Sequence, residues 1–130
     1  MKRSIALHLF LVLTGFSLVL KAQVSFTTSS LRMSLDKNGT ITELTDLRNK
    51  VNYAASETGY LLGVKSEGSV LDPVGFKVQG ELLSYQYPGG LRVDLKVQNK
   101  GDYLRMEAVA VSGKDRMDAI VWGPIKTTIG

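Results

Sequence analysis

The stretch Leu91-Arg92-Val93-Asp94-Leu95-Lys96-Val97-Gln98 decides the fold class of this 130-residue chain. Its leucines and valines alternate with polar residues, as side chains alternate between the two faces of a β-strand. One apolar and one solvated face are typical of an antiparallel sheet. Asn99-Lys100-Gly101-Asp102 follows and offers a glycine for a tight turn. Tyr103 to Val111 then alternates again, with Leu104, Met106, Ala108 and Ala110 on one side, so the two runs predict a β-hairpin.

A second hairpin is predicted around Asp36-Lys37-Asn38-Gly39, where Asn-Gly is a strong turn signal. Ser30 to Asp36 alternates apolar and polar residues before this turn. The run after it, Thr40 to Leu47, has apolar residues at near-helical spacing. Its threonines and isoleucine favour a strand, in which a β-bulge would restore the period of two. A short helix is the alternative.

Four further strands are predicted between glycine- and proline-rich joints. They cover Tyr60 to Val64, Gly75 to Gln79, Leu82 to Tyr87 and Ala119 to Trp122. Eight or nine short strands predict an all-β fold, an antiparallel β-sandwich. The sequence stops soon after a strand, with no polar tail or helix to cover an edge. We therefore expect residues 23–130 to be an incomplete N-terminal portion of a larger sandwich.

The first 22 residues have the pattern of a secretory signal peptide. Lys2 and Arg3 precede an apolar stretch from Ile5 to Leu20, and Ala22 supplies a small residue for cleavage. A membrane anchor is the alternative, but a spanning helix needs about 20 predominantly apolar residues. The pattern predicts export to the periplasm, the cell surface or the medium, with no membrane span after cleavage.

The composition of the mature chain limits its chemistry. Lys2, Arg3 and Lys21 account for three of the 16 basic residues, which leaves 13 against 12 acidic ones. No basic stripe remains to bind nucleic acid. The only histidine, His8, lies in the signal, and the chain has no cysteine. Thiolate nucleophiles, Ser-His triads and ordinary zinc or copper sites are therefore excluded after cleavage, and no cofactor is expected.

Aromatic residues are the candidate carbohydrate-binding residues. Trp122, the only tryptophan, stands beside Gly123 and Pro124, and an aromatic face in such a setting can stack on a sugar ring. Tyr85 and Tyr87 share one face of their strand and are candidates for a groove rim. For Trp122 the alternative is that it fills the core or seals a strand end, and for the two tyrosines it is amphipathic packing with a solvent-exposed hydroxyl. Asp94, Asp115 and Asp118 do not form a recognisable catalytic pair of carboxylates, so no catalytic residue is assigned.

Two segments carry a family resemblance. Ser34-Leu35-Asp36-Lys37-Asn38-Gly39-Thr40-Ile41, with Asp46-Leu47 and Asn52-Tyr53, resembles the opening of large bacterial carbohydrate-active proteins whose N-terminal β-sandwich is galactose-mutarotase-like. The segment from Trp122 to Gly130 is similar to a strand-and-loop phrase of such exported proteins. The resemblance implies a sandwich that shapes the glycan cleft of a glycoside hydrolase or polysaccharide lyase, whose catalytic residues sit in a later domain. The chain lacks the histidines typical of sugar epimerases of that fold.

Three functional hypotheses remain from the sequence. The first is a non-catalytic N-terminal segment of an exported carbohydrate-processing enzyme, with a glycan or a following catalytic domain as partner. The second is a stand-alone exported carbohydrate-binding or adhesion module. The third is an enzyme that uses only carboxylates and tyrosines.

Overall fold

The computed structural model describes residues 24–55, 59–123 and 125–128. The predicted signal peptide, Met1 to Ala22, lies outside the described residues. Eleven strands occur in the described part of the chain, and short 3₁₀ turns at Pro88–Gly90 and Lys114–Arg116 are the helical elements there. The strands are β1 Val24–Thr27, β2 Leu31–Leu35, β3 Ile41–Asp46, β4 Val51–Asn52, β5 Leu62–Ser66, β6 Ser69–Leu71, β7 Gly75–Gln79, β8 Leu82–Tyr87, β9 Leu91–Asn99, β10 Leu104–Ser112 and β11 Ala119–Trp122.

All strand pairs are antiparallel, and the strands form three sheets. Their orders are β1-β2-β3-β4, β10-β9-β8-β7 and β11-β5-β6. The bridge between Thr40 and Tyr60 links the first sheet to the start of the third. Buried residues of all three sheets form one apolar cluster. The all-β, antiparallel fold predicted from the sequence is confirmed, and the arrangement is consistent with a β-sandwich.

The hairpin of β9 and β10 is confirmed, and its apolar face supplies much of the core. Leu91, Val93, Leu95 and Val97 are all buried, whereas the polar residues between them reach solvent. The pairing with β10 skips one residue, because Ala108 lies opposite Leu95 and Ala110 opposite Asp94. Val109 is therefore a β-bulge. Beyond it Ala110 is exposed and Val111 turns towards the core, which corrects the predicted inward position of Ala110.

The hairpin at Asp36 to Gly39 is also confirmed. Its turn is closed by the Asp36 carboxylate, which accepts hydrogen bonds from the backbone N–H groups of Asn38 (2.8 Å) and Thr40 (3.0 Å). The run that follows is the strand β3 and not a helix. Ser34 pairs with Glu43 and Leu35 with Ile41, so Thr42 is the bulge that restores the alternation.

Two buried tyrosine hydroxyls connect the β7–β10 sheet to the other two sheets. The Tyr85 hydroxyl donates to the Gly39 carbonyl (3.0 Å), and the Tyr87 hydroxyl donates to the Leu62 carbonyl (2.9 Å). Each bond joins residues far apart in sequence and satisfies a polar group inside the core. The two bonds, together with the shared apolar cluster, hold the β7–β10 sheet against the other two sheets.

Within the described residues, no helix is both long enough and apolar enough to cross a membrane.

Candidate functional site

Trp122 lies at the solvent-exposed end of β11, the edge strand of the three-stranded sheet. It pairs with Leu62 on β5, and directly opposed residues of an antiparallel pair project to the same face. Leu62 is fully buried on that face, whereas 54% of Trp122 is exposed. The core-facing side of the sheet therefore reaches solvent at the indole. The sequence left open whether Trp122 is exposed or packed in the core, and in the structure it is exposed.

The residue after Trp122 has a left-handed backbone conformation. Gly123 has φ of +81°, a left-handed conformation that favours glycine, and its N–H donates to the Leu61 carbonyl (2.9 Å). Ile125 beyond the turn is 43% exposed. An indole and an aliphatic side chain, three residues apart in sequence, are thus both exposed at the surface.

The side chains of Tyr85 and Tyr87 are buried and are not exposed at a groove rim, and Tyr87 lies beneath one of the two clefts described below. Tyr85 is fully buried and Tyr87 is 2% exposed, so neither ring offers a face to a ligand in this structure. Tyr85 also packs against Phe76, with ring centroids 4.8 Å apart. The expected rim position is corrected because both side chains share the inner face of β8 with Leu83. The opposite face carries Ser84 and Gln86, and this polar pair is the signal that indicates which face is inside.

Burial determines the protonation of these two phenols. It raises the pKa of the Tyr85 hydroxyl well above its ordinary value of 10, and the nearby Tyr87 and Asp36 act in the same direction. Burial likewise raises the pKa of Tyr87. Both hydroxyls therefore remain neutral hydrogen-bond donors, which suits a structural role better than proton transfer near neutral pH.

Two of the three carboxylates considered from the sequence, Asp94 and Asp118, have structural contacts. Asp94 accepts a hydrogen bond from the Ser84 hydroxyl (2.7 Å) and pairs with Arg92 (3.3 Å). Asp118 accepts a bond from the backbone N–H of Gly68 (3.3 Å), and Asp115 is exposed. In the described part of the chain, no group of three or more His, Cys, Asp or Glu side chains could hold a metal ion.

Two shallow clefts flank the turn at Pro88–Gly90. The larger, about 380 Å³, is lined by Pro88, Gly89, Leu71, Glu67 and Arg116 among others. A Cβ atom on Gly89 would lie 3.3 Å from Nη1 of Arg116, so the guanidinium rests against the turn. Trp122 is not among the residues that line either cleft.

Comparison with protein-family models, with curated proteins and with solved structures finds no match to this chain.

Proposed function

We propose that this β-fold is a non-catalytic, carbohydrate-contacting part of an exported carbohydrate-processing protein, and that Trp122 is its sugar platform. The exposure of Trp122 carries the proposal. A large aromatic side chain is normally buried, and one exposed on the core-facing side of a sheet is the exception that suggests a binding role. The resemblance to galactose-mutarotase-like sandwiches supports the same class of ligand.

The chemistry of an indole fits a pyranose ring. The π-face of Trp122 carries partial negative charge, which attracts the slightly positive axial C–H bonds on one side of a sugar. Stacking also removes apolar area from water without burying a charged group. The adjacent Ile125 adds apolar surface on the far side of the Gly123 turn.

Replacing the indole tests the proposal. In Trp122→Ala we expect binding to a glycan array of neutral and uronate-containing oligosaccharides to fall about tenfold, which corresponds to the loss of one stacking contact. Because the side chain is half exposed, the same change should lower the free energy of unfolding only slightly. Affinity is measured by calorimetric titration with the best array ligand, and stability by urea unfolding.

Val70→Ala is the matched control, since Val70 is 52% exposed on β6 of the same sheet. It should leave binding unchanged. Equal affinities of Trp122→Ala and the native chain, together with a large loss of stability, would contradict the proposal and make Trp122 a packing residue. Turnover of a glycan by the chain alone would contradict the non-catalytic assignment. A stand-alone binding or adhesion module would show the same Trp122-dependent affinity. The two hypotheses differ in whether the gene also encodes a catalytic domain linked to this β-fold, which sequencing of the gene determines.

A further inference from the structure

Strand β10 has an unpaired edge among the described residues, because it is the outer strand of its sheet and pairs there only with β9. At nine residues it is also, with β9, one of the two longest strands described. Long exposed edges offer a row of free N–H and C=O groups to another chain. The partner that such an edge accepts can be identified from the direction of its backbone groups and from the side chains beside them.

The turn of the hairpin sets which residues of β10 have free backbone groups. The Lys100 N–H donates to the Tyr103 carbonyl (2.9 Å), so Lys100 and Tyr103 form a hydrogen-bonded pair. Such pairs alternate along an antiparallel ladder. Arg105 and Glu107 therefore direct their backbone groups to β9. Leu104, Met106 and Ala108 direct theirs to the free edge.

The side chains on the solvated face of β10 are complementary to themselves about Met106. If two copies pair antiparallel with Met106 on the two-fold axis, Arg105 of each copy lies opposite Glu107 of the other. These are non-hydrogen-bonded pairs, in which opposed side chains come closest. The next pair places Tyr103, 61% exposed, opposite Val109, 47% exposed. The register thus joins opposite charges and covers two of the large exposed apolar side chains.

The same register uses every free backbone group identified above. Met106 pairs with Met106, and Leu104 pairs with Ala108 in both directions. The neighbouring strand adds no like charge to this arrangement, because Glu107 lies opposite Lys96 on β9 and Arg105 lies opposite the uncharged Gln98. In the single chain Arg105 and Glu107 already contact each other (3.1 Å) and are both more than half exposed. They can exchange partners without leaving a charge unpaired.

We propose that β10 is a self-association edge, through which two copies of this chain join their four-stranded sheets into one continuous sheet about Met106. The partner strand is a second copy of β10, because in an antiparallel pair each Arg105 lies opposite the Glu107 of the other copy. Sedimentation equilibrium of the protein produced from the whole 130-residue chain should show a monomer–dimer equilibrium at micromolar to submillimolar concentration.

Two charge reversals test the register. In Arg105→Glu and in Glu107→Arg, like charges face each other across the axis, and each should weaken self-association about tenfold or more. An equimolar mixture of the two variants restores opposite charges at both pairs. It should form a mixed dimer as tightly as the native chain dimerises.

Met106→Pro tests the backbone pairing. The N–H that proline removes points to the free edge, so the fold should survive, as judged by circular dichroism, while the dimer is lost. The same substitution should also abolish the mixed dimer, which separates strand pairing from general charge attraction. A native chain that stays monomeric throughout, or a dimer that neither Arg105→Glu nor Met106→Pro weakens, would overturn the proposal.

Discussion

Gly39 is the residue at which the β2–β3 turn touches the facing sheet. Its φ is +76°, and a Cβ atom there would lie 2.6 Å from Cε1 of Tyr85 and 2.8 Å from Cδ2 of Phe76. Its carbonyl also accepts the Tyr85 hydroxyl. Only the absence of a side chain lets the turn approach the two rings this closely.

Gly39→Ala should therefore lower the free energy of unfolding by about 2–5 kcal/mol, which combines left-handed backbone strain with overpacking. Gly68→Ala separates the two causes. Gly68 has nearly the same φ, +80°, but nothing lies within 4 Å of its Cβ position, so only the strain of about 1–2 kcal/mol should appear. Urea unfolding of both variants measures the difference. Equal losses would show that contact with Tyr85 and Phe76 contributes nothing.

Among the strands, β9 is the longer of the two inner strands of the β10-β9-β8-β7 sheet. Leu95 is fully buried and lies between Leu83 on β8 and Ala108 on β10. Truncating it opens a cavity that three strands surround, and the rigid ladder on both sides limits how far the walls can relax.

Leu95→Ala is accordingly expected to cost about 2–5 kcal/mol of unfolding free energy. Leu71→Ala is the comparison, since Leu71 is only partly buried on the short strand β6. Its loss should be clearly smaller in the same denaturation experiment. A loss at Leu71 equal to that at Leu95 would contradict the central place given to β9.

Eight of the eleven strands described could be predicted from the sequence, and three short ones could not. The limits of β7, β8 and β11 agree with the predicted ranges, whereas β5 begins at Leu62 and not at Tyr60. The predicted strands do not include β1, β4 and β6. The two or three residues of β4 and β6 are too few to show a period, and the four residues of β1 show only two alternations. Ala108-Val109-Ala110-Val111 is apolar throughout, so polarity does not encode the bulge at Val109.

The candidate site shows the same division. Ser84 and Gln86 are polar and lie on the outer face of β8, so the burial of Tyr85 and Tyr87 on the other face could have been predicted from the alternation. The exposure of Trp122 could not be predicted from the sequence, because it depends on how the sheets pack in three dimensions.

For the whole molecule, the two buried tyrosines that bond the sheets together make the free energy of unfolding fall at alkaline pH. The raised pKa values mean that the folded protein keeps both phenolic protons at a pH where the unfolded chain loses them. Stability from this source is present below about pH 10, the ordinary pKa of tyrosine, and is lost as the pH rises above it.

Each tyrosine should lower the free energy of unfolding by up to about 1.4 kcal/mol per pH unit above about pH 10. Urea unfolding at intervals from about pH 8 to about pH 11 measures the slope. The Tyr85→Phe, Tyr87→Phe double variant removes both titrating groups, so its slope should be shallower, although it is less stable at every pH because two carbonyls lose their donors. Parallel slopes would exclude the tyrosines as the cause.

The placement of the single tryptophan has a consequence for spectroscopy. An indole at the surface already emits from a hydrated environment in the native state, so its fluorescence responds little when the sheets come apart. The buried phenols are shielded from water until that moment. Tyrosine absorbance therefore follows unfolding in this protein, and tryptophan emission is left as a separate optical signal for events at the exposed end of β11.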